Sequence, residues 1–278
     1  KQIQSSDELI ISDDGSSDST RNIIQGIYTT DDLQIVFVDT PGIHKPQYKL
    51  GKILNDQAYY SMEDVDLILF LIDATQKIGS GDKFIIEKLK EVKTPVILLL
   101  NKIDKIRYEE LLPIINEYKD LYPFKEIIPI SATKKTNITD LIKTISNYLP
   151  NDIKYYDDDT ITNISKKFTI AELIREKVLY KTHKEVPHSV TCIVEHLEED
   201  KKSASIGASI IVDRENLKKI LIGHQGKMIK AIGSEARIDI ENLLEKKVYL
   251  DLRVKVVNNW RDKDHFLNQE LNLTDFNE

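Results

Sequence analysis

Cysteine is almost absent from this 278-residue chain, which contains only Cys192. A single thiol excludes an internal disulfide framework and any metal site built on several cysteines. Because Cys192 lies in the apolar run "SVTCIVEHL", we interpret it as a small buried residue of a strand. The chain also lacks an apolar run of the roughly 20 residues that cross a bilayer. It has no secretory signal with a basic start and an apolar middle. We therefore expect a cytoplasmic protein.

An excess of positive charge is absent as well, since 39 Lys and Arg face 46 Asp and Glu, for a net charge of −7. This balance argues against a protein that coats nucleic acid without selectivity, although it leaves room for a local basic patch. Apolar residues make up 41% of the chain and charged residues 31%, which is typical of globular domains. The length predicts two of them.

Short apolar strands alternate with amphipathic helices from about Leu33 to Leu149. The strands are "LQIVFVDT", "DLILFLIDA", "TPVILLLNKID" and "EIIPISA", and the helices are "DKFIIEKLKEV", "YEELLPIINEYKDL" and "ITDLIKTISNYL". This order predicts an α/β domain, a parallel sheet with crossover helices on both faces. Ligands of such sheets bind beyond the carboxyl ends of the strands, and the polar motifs of this chain lie there.

The first polar motif is Asp39-Thr40-Pro41-Gly42, directly after an apolar strand. An aspartate at a strand end can reach Mg²⁺ through water, and a glycine N–H can approach a γ-phosphate closely. The motif is also a good turn sequence, so it does not identify a nucleotide site by itself.

Two further motifs follow in order, Asn101-Lys102-x-Asp104 and Ser131-Ala132. The carboxylate of Asp104 can accept two hydrogen bonds from guanine, a pair that adenine does not offer. Lys102 can cover the base plane with its stem, Asn101 can tie neighbouring loops together, and a backbone N–H at Ser131–Ala132 can meet guanine O6. The ordered set predicts a site for GTP or GDP with Mg²⁺.

The phosphate loop that should accompany such a site, G-x-x-x-x-G-K followed by Ser or Thr, is absent from the sequence. The chain begins instead with a predicted strand, "DELIIS", and a loop without lysine that carries Asp13, Asp14 and Asp18. These carboxylates would repel phosphates. Because the first residue is a lysine, we expect the sequence to begin inside a longer gene product.

The segment "ELIISDDGSSDST" resembles the first nucleotide-sugar loop of family-2 glycosyltransferases, in which an aspartate after a strand holds the uridine of a UDP-sugar. Nothing else of that fold is visible in the sequence. We therefore interpret residues 1–19 as a foreign-looking segment that is joined near Thr20 to a chain of different origin.

The second domain follows an acidic linker at residues 151–165. Its predicted order is helix, strand, strand, helix, G-x-x-G, helix, strand, which resembles an RNA-binding K-homology domain of type II. A G-x-x-G turn between helices lets the protein backbone approach a nucleic-acid backbone. Residues 214–230 hold five basic residues and one acidic one. The candidate RNA-binding residues are Ile222, Gly223, His224, Gln225, Gly226, Lys227 and Lys230. We interpret His224 as an exposed contact rather than a catalyst, and Trp260 as packed rather than stacked on a base.

From about Thr20 to Trp260 the sequence resembles the Era family of GTPases. "TRNIIQGIYTTDDLQIVFVDTPGIHKPQYKLG" is similar to the family's two switches and the strand pair between them, and "NKID" and "SA" match its base-recognition motifs. The resemblance implies a P-loop-type GTPase domain at 20–150, a K-homology domain at 166–262 and a tail at 263–278. Thr20 is expected to close on Mg²⁺ and Asp39 to bind it indirectly.

The family also implies partners and an activity. The partners are the 3′ end of 16S ribosomal RNA and the 30S subunit during its assembly, with peripheral membrane association as a weaker expectation. Ile43 replaces the glutamine that orients water in many GTPases, so slow hydrolysis is implied. We interpret His44 as an exposed switch-loop residue rather than a base.

Three functions stay open at this point. The first is an Era-like GTP-binding protein whose GTPase activity is impaired because the phosphate loop is missing. The second is a nucleotide-independent RNA-binding protein. The third, a glycosyltransferase fragment, predicts UDP-sugar binding that is lost when Asp14 is changed.

Overall fold

The structure, a computed structural model, describes residues 24–40, 48–150, 154–158, 160–162, 164–182 and 186–271, and the backbone of residues 8–13. The candidate residues Thr20, Pro41, Gly42, Ile43 and His44 lie outside these ranges. The chain divides between residues 163 and 164 into two compact units.

The first unit is built on a six-stranded sheet in the order β2-β3-β1-β4-β5-β6. β2 is antiparallel to β3, and the other neighbouring strands run parallel. The strands are β1 (Glu8–Asp13), β2 (Ile24–Thr29), β3 (Gln34–Asp39), β4 (Leu67–Asp73), β5 (Val96–Asn101) and β6 (Glu126–Pro129). The predicted parallel sheet is confirmed, and its carboxyl edge carries the polar motifs.

β1, the strand predicted from "DELIIS", lies in the middle of this sheet. It pairs with β3 on one side, with Ile11 opposite Asp39, and with β4 on the other, with Leu9 opposite Leu67. In P-loop proteins the phosphate-binding loop follows a strand and precedes a helix. The sequence that follows β1 here, at residues 14–20, contains two aspartates and no lysine.

Helices cover both faces of the sheet. They are α1 (Lys49–Glu63), α2 (Ser80–Leu89), α3 (Tyr108–Leu121) and α4 (Ile138–Ser146). Side chains of one strand alternate between the faces. Ile68 and Phe70 of β4 share a core with α1, α2 and α3, whereas Leu67 and Leu69 share one with α4. Sequence reasoning missed α1, because "KLGKILNDQAYYSME" mixes a glycine and several polar residues into its apolar spacing.

The predicted linker adds to the outer edge of β2. The N–H of Ile27 donates to the carbonyl oxygen of Ile161 at 2.8 Å, and the hydroxyl of Thr162 donates to the carbonyl oxygen of Gln25 at 2.6 Å. Gln34, which is buried, accepts from the N–H of Tyr155 at 2.8 Å. This part of the linker is therefore held to the sheet.

The second unit has the predicted element order, with one additional short helix. Its elements are α5 (Lys166–Lys181), α6 (Val186–Ser189), β7 (Val190–Glu199), β8 (Ser203–Val212), α7 (Glu215–Ile222), α8 (Lys227–Leu244) and β9 (Lys247–Val256). β8 is the central strand, antiparallel to β7 and parallel to β9. Apolar residues of α5, α7 and α8 form one core with the sheet, and Cys192 is buried in it, as predicted.

Trp260 follows β9 in a short 3₁₀ turn, Trp260–Asp262, and is fully buried. Its indole N–H donates to the carbonyl oxygen of Ser189 at 3.3 Å, and its ring lies 5.8 Å from that of Phe266. The interpretation of Trp260 as a packed residue is confirmed. Within the described ranges, no helix is both long enough and apolar enough to cross a bilayer.

Candidate functional site

Asn101 joins the two loops that carry the predicted base-recognition residues. It is the last residue of β5, and its side-chain oxygen accepts from the N–H of Lys102 at 2.8 Å and from the N–H of Ala132 at 3.1 Å. The loop after β5 and the loop after β6 are thus fixed to each other. Lys102 adopts a φ of 65°, in the left-handed region that non-glycine residues seldom occupy.

Asp104 is held by Ser131. Asp104 lies in the 3₁₀ turn Ile103–Lys105, and one of its carboxylate oxygens accepts from the hydroxyl of Ser131 at 2.6 Å. Ser131 is fully buried, and its backbone pairs with Thr136 across a tight loop. The hydrogen bond from Ser131 lowers the pKa of Asp104 below its usual value. An ionised carboxylate here has the acceptor capacity that a pair of guanine N–H groups requires.

Asp73, which sequence reasoning missed, fixes the side chain of Lys102. Asp73 ends β4 directly opposite Asn101 on β5, and its carboxylate lies 2.7 Å from the ammonium nitrogen of Lys102. Its other oxygen accepts from the N–H and the hydroxyl of Thr75. Burial would raise the pKa of Asp73, but the hydrogen bonds from Lys102 and Thr75 outweigh it and lower the pKa. The apolar run before Asp73 placed it at the same sheet edge and was the signal that could have found it.

Asp39 and Thr40 lie farther along the same edge. Asp39 ends β3, opposite Ile24 of β2, and Thr40 is buried. Three interstrand steps separate β3 from β5, or about 14 Å at ~4.8 Å per step. The described residues contain no cluster of three or more His, Cys, Asp or Glu side chains that could hold a metal ion. Mg²⁺ in nucleotide sites uses one or two carboxylates plus phosphate oxygens, so the carboxylate of Asp39 fits an ion that arrives with a nucleotide.

The G-x-x-G turn of the second unit joins α7 to α8. Gly223 has a φ of 71° and a ψ of 176°, and a Cβ there would lie 2.7 Å from the Cβ of Met228. Gly226 has a φ of 74°, and Gln225 between them also has a positive φ. His224, Gln225, Lys227 and Lys230 are exposed. The turn therefore presents backbone and basic groups to solvent.

A groove next to this turn lies between α8 and β9 and has a volume of about 370 Å³. Lys230, Gly233 and Arg237 line it from α8, and Tyr249 and Leu252 are among its residues on β9. Sequence reasoning selected Lys230 but missed the others, because the groove joins an edge strand to a helix that precedes it in the chain.

Comparisons with known proteins identify both units. A family model described as 50S ribosome-binding GTPase matches residues 10–102, and a KH domain model matches residues 185–261. A crystal structure of Era in complex with MgGDPNP and nucleotides 1506–1542 of 16S ribosomal RNA is 36% identical, with a TM-score of 0.89. The match covers 94% of this chain and 96% of that one. The chain belongs to the Era family. Aquifex aeolicus Era bound to GDP·AlF4⁻, as a point variant, is 35% identical with a TM-score of 0.88 and covers 94% of this chain and 97% of that one.

Membership of the Era family makes this chain a GTPase-fold protein with a KH domain. The match to the GTPase model begins at residue 10, inside the segment that resembles a glycosyltransferase loop. β1 is the corresponding element of the structure, at the centre of the Era-type sheet.

Proposed function

We propose that this Era-family chain binds single-stranded RNA at the G-x-x-G turn and the groove beside it. By family, the RNA is the 3′ end of 16S ribosomal RNA and the setting is assembly of the 30S subunit in the cytoplasm. The observation that carries the proposal is the turn itself, where Gly223 and Gly226 expose backbone next to the basic residues Lys227 and Lys230. KH domains use such a turn to clamp about four nucleotides.

The guanine nucleotide and Mg²⁺ belong to the same proposal, with a specific limit. Asn101, Lys102, Asp104, Ser131 and Ala132 lie together in one site whose geometry suits a guanine base. Asp13 ends β1, however, and the sequence after it carries Asp14 and Asp18 and no lysine where the family holds phosphates. Because the phosphate cradle supplies most of the affinity and the charge stabilisation of this reaction, the chain recognises guanine weakly and hydrolyses GTP negligibly.

A titration with a fluorescent GTP analogue in Mg²⁺, with a UDP-sugar as control, tests this limit. Weak guanine-specific binding, no UDP-sugar binding and negligible turnover are expected. Turnover comparable with that of an Era protein that has its phosphate loop would contradict the proposal. UDP-sugar binding that depends on Asp14 would favour the glycosyltransferase fragment instead.

RNA binding is tested separately with an oligonucleotide that copies nucleotides 1506–1542 of 16S ribosomal RNA, the segment bound in the Era relative. Specific binding whose affinity changes when GTP is added supports control of RNA binding by the nucleotide. Specific binding that ignores GTP supports the second candidate, a nucleotide-independent RNA-binding protein, which the missing phosphate loop favours. Binding no tighter than to an unrelated RNA of equal length would overturn the proposal. Peripheral membrane association stays an expectation from the family alone.

A further inference from the structure

Tyr249 is an exposed aromatic residue beside the proposed RNA groove. It lies on β9, an edge strand of the second unit's sheet, and 72% of its surface is exposed. Its cross-strand neighbour is Ser205, whose small side chain can cover little of the tyrosine ring. A tyrosine fixed on a strand but left uncovered has a flat face ready for another flat group.

The position of Tyr249 is as informative as its exposure. It lines the groove against α8, and it also lines a second cavity of about 370 Å³ at the start of β9. Val248, Leu250 and Leu252 pack with the apolar core, so alternation along the strand directs Tyr249 to the opposite face of the sheet. An RNA strand that leaves the groove over the edge of β9 therefore meets this ring.

The net charges of the two cavities beside Tyr249 differ in sign. On the groove side, Lys230 and Arg237 can contact phosphates, and the carboxylate of Asp251 that also lines the groove is paired with Arg253 at 2.6 Å. The second cavity carries three carboxylates and one lysine, Lys247, so it is acidic on balance; the carboxylates are Glu198, Glu199 and Asp200. Glu199 is paired with two lysines, at 2.9 and 2.7 Å. Carboxylates repel the RNA backbone, so the phosphates are favoured on the α8 side. The group that reaches the edge of β9 is then a base rather than a phosphate.

We propose that Tyr249 is a stacking platform for one RNA base where the groove meets the start of β9. This inference rests on the proposed RNA binding. Stacking on an aromatic ring is available to every base, because each has a π-face. The platform therefore adds affinity with little choice of sequence, and it extends the contact beyond the nucleotides held by the G-x-x-G turn. Recognition of particular bases stays in the groove.

The test compares three variants of the full chain for binding of the 16S-derived oligonucleotide. Tyr249→Ala is expected to weaken binding by roughly 5- to 160-fold, the range that corresponds to loss of one stacked base. Tyr249→Phe keeps the ring and is expected to stay within about twofold of the unchanged protein. Tyr180→Ala is the matched control, since Tyr180 is also 72% exposed but lies on α5. Circular dichroism verifies that each variant is folded.

A set of oligonucleotides, each lacking one base, distinguishes stacking from a purely structural role of Tyr249. The affinity of each oligonucleotide is measured for the unchanged protein and for Tyr249→Ala. If Tyr249 stacks on a base, the penalty of Tyr249→Ala disappears when that one base is missing and persists at the other positions. The salt dependence of binding should be unchanged, because the substitution removes no charge.

The outcomes separate this inference from the function on which it rests. Tyr249→Ala binding as tightly as the unchanged protein would overturn the platform alone. Tyr249→Phe losing as much as Tyr249→Ala would overturn it too, because the hydroxyl would then be the contact. A penalty that persists at every abasic position would exclude stacking. An unchanged protein that binds no RNA would overturn the proposed function, and the platform with it.

Discussion

The side chain of Gln34 and the backbone of Tyr156 hydrogen-bond in both directions. The amide nitrogen of Gln34 donates to the carbonyl oxygen of Tyr156 at 3.0 Å, and its oxygen accepts from the N–H of Tyr156 at 3.0 Å. Gln34 also donates to Thr29 and accepts from the N–H of Tyr155. One buried side chain thus connects β2, β3 and the linker.

The first prediction concerns this connection. Gln34→Ala leaves half-buried backbone groups of Tyr155 and Tyr156 without this partner, so it should lower the free energy of unfolding by about 1–2 kcal/mol. Urea denaturation followed by circular dichroism measures the change. Gln76→Ala is the control, because Gln76 is an exposed glutamine of the same unit. A loss at Gln34 no greater than at Gln76 would show that the linker is not held as described.

The second prediction concerns the two glycines of the G-x-x-G turn. Gly223 occupies a region of φ and ψ that only glycine adopts readily, and its added Cβ would clash with Met228. Gly223→Ala should therefore destabilise the protein by about 1–3 kcal/mol from backbone strain, with the clash in addition. Gly226→Ala meets no atom within 4 Å, so its cost should be about 1 kcal/mol from its positive φ. Thermal unfolding compares the two, and equal costs would contradict the geometry of the turn.

The third prediction concerns the ionisation of Asp104. Ser131→Ala removes the hydrogen bond that lowers the pKa of Asp104, so that pKa should rise toward its usual value of about 3.9. Because the folded-state pKa is depressed, the stabilising contribution of this group is present above the unfolded pKa and is lost as the pH falls through the folded value. NMR titration of the Asp104 carboxyl carbon measures both proteins. Thr133→Ala, a change in the same loop, should shift the pKa of Asp104 less. An unchanged pKa of Asp104 in Ser131→Ala would contradict the hydrogen bond from Ser131 as the cause of its low value.

The fourth prediction concerns Asp73 as the residue that positions Lys102. Asp73→Asn removes the charge that holds the lysine ammonium, so ordering the lysine stem over a base costs side-chain entropy of up to about 2 kcal/mol. Guanosine or GDP affinity should fall by several-fold, measured by NMR at high nucleotide concentration. Preference for guanine over adenine should be retained, because Asp104 is untouched. Asp140→Asn, the same charge change at an exposed position of α4, should leave affinity unchanged. An unaltered affinity in Asp73→Asn would refute the positioning role.

The sequence predicted most of the strands, since "DLILFLIDA" and "TPVILLLNKID" combine buried apolar runs with a polar residue at the carboxyl end. It also predicted the two loops that Asn101 joins, at which the candidate base site lies. It did not predict α1, because a glycine and several polar residues dilute the apolar spacing of that helix. Asp73 and Tyr249 were missed for a different reason. The role proposed for Asp73 depends on Lys102 after the next strand, and the role proposed for Tyr249 depends on the groove that α8 forms with β9.

The linker has a consequence for solubility. β2 is the last strand on its side of the sheet, and an uncovered edge strand offers N–H and C=O groups to which another chain can pair. Ile161 and Thr162 occupy part of that edge and satisfy its hydrogen bonds within the same molecule. The linker therefore does more than connect two domains, because it also blocks pairing of β2 with the edge strand of another molecule. Removing it would expose the edge of β2 to pairing with other chains and so to aggregation.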